Sequence, residues 1–289
     1  MSRRRTIALL LALVLLVLLT PLAVLSLAGC SNTAAPEAET SAPPSAPAEP
    51  ASTPEPSAEA TPEPAPASAE GGAQATGKIV CIDPGHQRCG SSTPEPIGPG
   101  ASQTKARVTG GTQGRYTGVT EYELNLAVAL LLRDELTARG YTVVMTRETN
   151  DVDLSNAERA AIAENAGADV FVRIHANGSE DPAHSGAMTI CMTPQNPYNA
   201  ALYPASRALS DCVLDALVAA TGCAREYVWE TDTMSGINWA AMPVTIVEMG
   251  YMTNEREDRL LATDDYRAQI AQGIANGIDA YFARAESEG

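Results

Sequence analysis

The sequence predicts an α/β domain, a mostly parallel twisted sheet covered by helices on both faces, carried behind a long segment that does not fold. Three observations lead there. Short apolar runs alternate with helical stretches from Lys78 to the C-terminus, the order that builds a parallel sheet with crossover helices. The apolar runs are bounded by Gly, Pro and Asp and are too short for helices, so they read as buried strands. Residues 31 to 76, in contrast, hold ten of the chain's 20 prolines and seven glutamates, with no Lys or Arg. Such a composition buries too little surface to offset its conformational entropy.

Residues 1 to 29 read as an export signal. Arg3, Arg4 and Arg5 form its positive region and Ile7 to Leu19 its apolar region. Leu27-Ala28-Gly29 then runs into Cys30, and Leu-Ala-Gly-Cys resembles the lipobox of bacterial lipoproteins. That resemblance implies a mature chain lipidated at Cys30. The alternative is an uncleaved membrane anchor, because Ile7 to Ala28 is uncharged and long enough to span a bilayer. The paired arginines also suggest a twin-arginine signal, although the leucine run is that of an ordinary secretory one. Either anchor places the folded part outside the cytoplasmic membrane, in the cell envelope. Residues 30 to 76 then form an extended spacer, kept open by proline and like charges.

From residue 77 to 289 the elements follow in order. Lys78 to Ile82 reads as a strand ending at Asp83-Pro84-Gly85, followed by a long Gly- and Pro-rich stretch from Gln87 to Val119. Glu121 to about Arg139 is a helix closed by Gly140. Tyr141 to Thr146 is a strand, and Ser155 with Glu158 makes a capping box for a helix ending near Gly167. Asp169 to Ile174 and Gly186 to Met192 are strands, Asn199 to about Thr221 a long helix, and Glu226 to Glu230 a short strand. Val244 to Val247 is the last strand, and a helix or helix pair fills Glu255 to Ala285.

The net charge of −16 becomes −12 over residues 77 to 289 once the leader's three arginines and the spacer's seven glutamates are set aside. That balance excludes a nucleic-acid or anionic-lipid surface. Five cysteines remain after Cys30, an odd number that cannot all pair within one chain. Cys81 and Cys191 fall inside apolar runs and read as core residues. Cys212 with Cys223, or Cys89 with either, is open to pairing in an oxidising compartment.

Of the chain's three histidines, two sit at strand ends. They are His86 in Ile82-Asp83-Pro84-Gly85-His86 and His175 in Ile174-His175-Ala176-Asn177. Two imidazoles and a carboxylate are the ligand set of a catalytic zinc with an open position for water. Glu121 and Glu123 compete for the carboxylate place. Thr120 with Glu123 forms a capping box, which gives Glu123 a structural task and favours Glu121 as the ligand. Glu248, just past Pro243-Val244-Thr245-Ile246-Val247, is the candidate general base unless Arg147, Arg159 or Arg173 pairs with it. His184 lies in a polar turn and reads as a surface histidine or a substrate contact. Thr109-Gly110-Gly111-Thr112-Gln113-Gly114 lacks the Lys and Ser/Thr of a phosphate loop, and its glycines let a loop fold beside the site.

In this order the motifs resemble the zinc-dependent N-acetylmuramoyl-L-alanine amidases of bacterial cell-wall turnover. The likeness rests on Ile82 to His86, Glu121 with Leu124 to Ala129, Gly140-Tyr141-x-Val143, Thr146-Arg147, Ala168 to Val172, Ile174 to Asn177, Pro243 and Val247 to Asn254. It implies zinc held by His86, Glu121 and His175, with Glu248 as acid/base. It implies peptidoglycan as substrate, cut between the lactyl group of N-acetylmuramic acid and L-alanine of the stem peptide. The 34 residues between His86 and Glu121 depart from the short segment of many relatives. Lys105, Arg107 and Arg115 in that insertion could meet acidic groups of a stem peptide, and Tyr227, Trp229, Asn238 and Trp239 could rim the cleft. A zinc peptidase acting within stem peptides, or a non-catalytic peptidoglycan-binding lipoprotein, are the alternatives. An activator protein is a further possible partner.

Overall fold

The computed structural model describes residues 74–288. The leader, Cys30 and most of the spacer lie outside the described residues. Six strands form one sheet in the order β4-β1-β5-β8-β6-β7. They are β1 (Ile79–Pro84), β4 (Thr142–Met145), β5 (Val170–Asn177), β6 (Ala187–Cys191), β7 (Arg225–Glu230) and β8 (Val244–Tyr251). All neighbours run parallel except β6 and β8, which are antiparallel. The mostly parallel sheet is therefore as predicted, and the single reversal is not visible in the sequence pattern.

The pleat sorts the side chains into two cores. Val80, Ile82, Val170, Val172, Ile174 and Val247 pack under α1 (Glu121–Ala138), α3 (Tyr203–Thr221) and α6 (Asp264–Glu288). Cys81, Phe171, Ile190, Val244 and Ile246 face the other way, beneath α2 (Asn156–Asn165) and the short α4 (Ser235–Asn238). Helices thus cover both faces, the first more heavily. A last short helix, α5 (Glu255–Leu261), precedes α6. The five cysteines of the described residues are free thiols, with Cys81 and Cys191 buried as expected.

The predicted helix starts hold. Glu123 reaches back to the Thr120 N–H and hydroxyl at 3.4 and 2.6 Å. In α2, the Ser155 N–H donates to Glu158 Oε2 at 2.7 Å while Ser155 Oγ accepts from the Glu158 N–H. Two expectations need correction. The stretch Gln87 to Val119 is not all loop, because β2 (Ser91–Pro96) and β3 (Thr104–Val108) pair as a separate antiparallel hairpin. Pro94 and Pro96 mask it in the sequence, and a two-stranded ribbon tolerates them because each strand needs hydrogen bonds on one side only. The strands β5 and β8 also run on past their apolar stretches. His175 and Glu248 therefore lie inside strands, since ladder bonding continues where side chains change to functional types.

Candidate functional site

Parity and register assemble the site. On β5 the alternation Phe171, Arg173, His175 matches Val244, Ile246, Glu248 on β8 residue for residue, so His175 and Glu248 are lateral neighbours on the face that α2 partly covers. Asp83 of β1 pairs with Arg173 in the same row. His86 follows β1 by two residues, and Glu121 enters from the first turn of α1, where Thr120 is the N-cap. All four gather at the carboxyl end of the parallel strands, where open α/β sheets bind ligands.

Three of them converge. His86 Nε2 and His175 Nδ1 lie 3.1 and 3.2 Å from Glu121 Oε1. One ligating atom from each residue falls within 4.8 Å of the others. The His86 Nδ1 faces the Thr109 carbonyl at 2.9 Å, so Nδ1 carries the proton and Nε2 keeps its lone pair. A lone pair and a carboxylate oxygen at 3.1 Å repel unless a cation lies between them. That juxtaposition fits a metal ion. Burial, against the pull of Glu121, lowers the His175 pKa to about 4, which keeps the imidazole neutral as a metal ligand must be. Burial alone would raise the Glu121 carboxyl, but the His175 and His86 imidazoles beside it hold it well below the usual range.

Side chains and backbone around these three fix their aim. Glu121 Oε2 accepts from the Thr112 N–H at 2.7 Å, and Oε1 from the Ala176 N–H at 3.2 Å and Asn125 Nδ2 at 3.3 Å. Asn125, one turn along α1, also donates to the Gly85 carbonyl. Gly111 has φ of 80°, and a Cβ there would stand 2.8 Å from Glu121 Oε2 and 2.9 Å from the His86 ring. A Cβ on Gly85 would overlap the His175 ring. The loop Thr109 to Thr112 thus straps His86 to Glu121, as its glycines suggested. Thr109, Thr112 and Asn125 are functional neighbours that the sequence reading did not single out. The available signal was Asn125, a wholly buried amide in the apolar stripe of α1.

His86 itself is the one non-glycine residue at positive φ, 60°, among the described residues. Two arginines hold this turn by its carbonyls. Arg147 donates to Pro84, Gly85 and Tyr122, and Arg159 to Pro84 and His86. Arg159 and Arg173 also pair with the fully buried Asp83 at 2.7 and 2.8 Å. None of the three arginines is left for Glu248. The Glu248 Oε2 is buried with no hydrogen-bond partner, and burial, with the Glu121 charge nearby, raises its pKa to about 8. A carboxyl left unpaired beside such a cluster is placed to exchange protons with a ligand.

Two clefts, of about 590 and 440 Å³, open on this centre, and His86, Thr109, His175 and Glu248 line both. Arg115 lines the first and Lys105 the second, where its ammonium donates to the Thr233 carbonyl at 2.7 Å. Arg107 is instead paired with Asp153 and Glu158. Tyr227, Trp229 and His184 line an adjoining hollow. Asn238 is buried in a polar network, and Trp239 donates to the Pro96 carbonyl behind α2, so neither rims the cleft.

Comparison with known proteins agrees with this geometry. The chain is 32% identical over 165 residues to the uncharacterized protein YqiI of Bacillus subtilis, covering 57% of this chain and 76% of that one. It is 29% identical over 206 residues to the N-acetylmuramoyl-L-alanine amidase LytC of the same organism, covering 71% of this chain but only 36% of LytC. The crystal structure of the N-acetylmuramyl-L-alanine amidase Ami1 from Mycobacterium smegmatis superposes with a TM-score of 0.65 at 28% identity, covering 72% of this chain and 98% of that one. Residues 80–280 match the family described as N-acetylmuramoyl-L-alanine amidase, and the chain belongs to that family.

Proposed function

We propose that this chain is a zinc-dependent peptidoglycan amidase that hydrolyses the bond between the lactyl group of N-acetylmuramic acid and L-alanine of the stem peptide. The observation that carries the reading is the convergence of His86 Nε2, Glu121 Oε1 and His175 Nδ1 beside the unpaired carboxyl of Glu248. Zinc dependence is a general property of the family, and these three residues would hold the ion. Zinc in such a site lowers the pKa of water from 15.7 towards roughly 7 and polarises a substrate carbonyl.

The remaining work falls to the chain. Glu248, lateral to His175, takes the proton of the attacking water and returns it to the alanine nitrogen as the amide breaks. Asn125, the Thr112 N–H and the Ala176 N–H keep Glu121 aimed, so the ligand set needs little rearrangement during turnover. Cys30 carries the lipid that tethers the protein to the outer face of the cytoplasmic membrane. Cys30→Ser should move the protein from the membrane to the soluble fraction.

The deciding experiment is mass spectrometry of isolated peptidoglycan digested by the purified protein, with and without a zinc chelator. Free stem peptides beginning with L-alanine, formed only without chelator, are expected. Cuts inside the stem would make the enzyme a stem peptidase, and zinc binding without any cut would overturn the assignment.

A further inference from the structure

The larger cleft continues past the metal centre. Asn177, Gly178 and Ser179 line both it and a neighbouring hollow of about 200 Å³ whose outer wall is β7. Tyr227 and Trp229 stand two residues apart on that strand and so share one face. The register Trp229 to Ile190 and Ile190 to Ile246 makes it the face that carries Glu248. Tyr227 is 53% and Trp229 40% exposed, so two of the four large apolar side chains exposed among the described residues sit here together. Neither the indole N–H nor the phenol has a hydrogen-bond partner among the described residues. Exposed aromatics grouped beside a catalytic cleft mark a ligand surface more often than chance exposure.

The other arm of the cleft has no exposed aromatic in its lining, although each arm carries a cation, Arg115 in the larger cleft and Lys105 in this one. It ends on Lys105, whose ammonium has a carbonyl partner but no carboxylate among the described residues. The substrate of the proposed reaction is equally lopsided. On the acyl side of the scissile bond lies a neutral polysaccharide, and on the amine side a peptide that bears carboxylates.

We propose that Tyr227 and Trp229 form a glycan subsite. The polysaccharide runs from Glu248 past Asn177 to Ser179 and lays its sugar rings on the two aromatic faces, while the stem peptide leaves along the Lys105 arm. The apolar C–H faces of a pyranose pack on an aromatic ring, and Ser179 and Asn177 offer polar groups to its hydroxyl and acetamido substituents. A glycan is favoured over a protein partner because the hollow is continuous with the cleft. One polymer can therefore fill both. The assignment rests on the proposed amidase reaction and adds its direction of binding.

The test compares kcat/KM on long-chain peptidoglycan and on a muramyl peptide with a single sugar, using the full chain loaded with zinc. Trp229→Ala and Tyr227→Ala are each expected to lower the ratio of long-chain to single-sugar kcat/KM by up to about tenfold, the loss of one aromatic contact. Trp229→Phe keeps a ring and should retain most of the ratio. Calorimetry with peptide-free N-acetylglucosamine tetramer should show weaker binding to both alanine variants and unchanged binding to Lys105→Gln. Equal losses on the two substrates, or no loss, would overturn the subsite. Tetramer binding that ignores the alanine substitutions would also overturn it and mark the aromatic pair as a protein-docking face. Failure of the wild-type protein to cleave either substrate would strike at the amidase reading instead, with tetramer binding still reporting on the aromatic surface.

Discussion

Glu248 is the residue on which the proposed chemistry turns, and its surroundings say how to probe it. Its carboxyl is raised to about 8 by burial and by the charge of Glu121, and its Oε2 forms no hydrogen bond. A neutral amide in its place breaks no bond and introduces no uncompensated charge. Glu248→Gln should therefore fold, keep its metal and lose about 10² to 10⁴-fold in turnover, as removal of a positioned acid/base does. His175→Ala should lose metal and activity together. Metal content and turnover measured on the same preparations separate the two, and wild-type turnover in Glu248→Gln would end its assignment. The four candidate residues stood out because each stands where a structural pattern stops, at the end of an apolar run or the start of a helix, and three of them converge in the structure. The competition between Glu121 and Glu123 was legible too, since the capping box occupies Glu123. The fate of the arginines was not. Arg147, Arg159 and Arg173 had equal claims on Glu248 by sequence, and only the three-dimensional arrangement commits them to Asp83 and the turn behind His86.

Among the elements, the strap from Thr109 to Thr112 and the turn after β1 are what make the convergence rigid. Gly111 combines a φ of 80° with a close approach to both Glu121 and His86, so Gly111→Ala meets backbone strain and steric overlap at once. It should weaken metal binding by about 10 to 100-fold, the usual effect of disturbing the groups that orient ligands, while the fold survives. Competition against a chelator of known affinity would show it. Arg159 is buried and joins α2 to the β1 turn through Asp83, Pro84, His86 and Gln87. Arg159→Met should cost about 3–5 kcal/mol in denaturant unfolding, because one partner of a buried ion pair is removed. An unchanged midpoint would show the pair to be dispensable. The strand and helix order was readable from alternating apolar and amphipathic stretches. The β2–β3 hairpin was hidden by its prolines. The reversal of β6 was hidden because a buried strand presents the same apolar run in either direction.

For the molecule as a whole, the row of charges beneath the site ties stability to acidity. Asp83 is fully buried, and although burial opposes its ionisation, Arg159, Arg173 and the Thr146 hydroxyl hold its carboxyl far below the usual range. In the unfolded chain the same group titrates near 3.9. The folded state therefore keeps the charge where the unfolded state takes up a proton. The stabilisation is complete above about pH 4 and falls by about 1.4 kcal/mol for each pH unit below it. Glu257, raised by burial, acts with the opposite sign, so its contribution is already complete below about pH 4 and cannot offset the loss. Glu158, lowered by its bonds to Ser155 and Arg107, adds to the acid sensitivity of any curve measured on the wild type alone. The contribution of Asp83 is isolated by difference. Asp83→Asn should be less stable at neutral pH, since two buried arginines lose their counter-charge, but its stability should fall less steeply between pH 4 and 2. Denaturant unfolding of both proteins across that range reads the slopes directly. Parallel curves would mean that Asp83 does not hold its charge in the folded protein, and that Arg159 grips the His86 turn through its carbonyls alone.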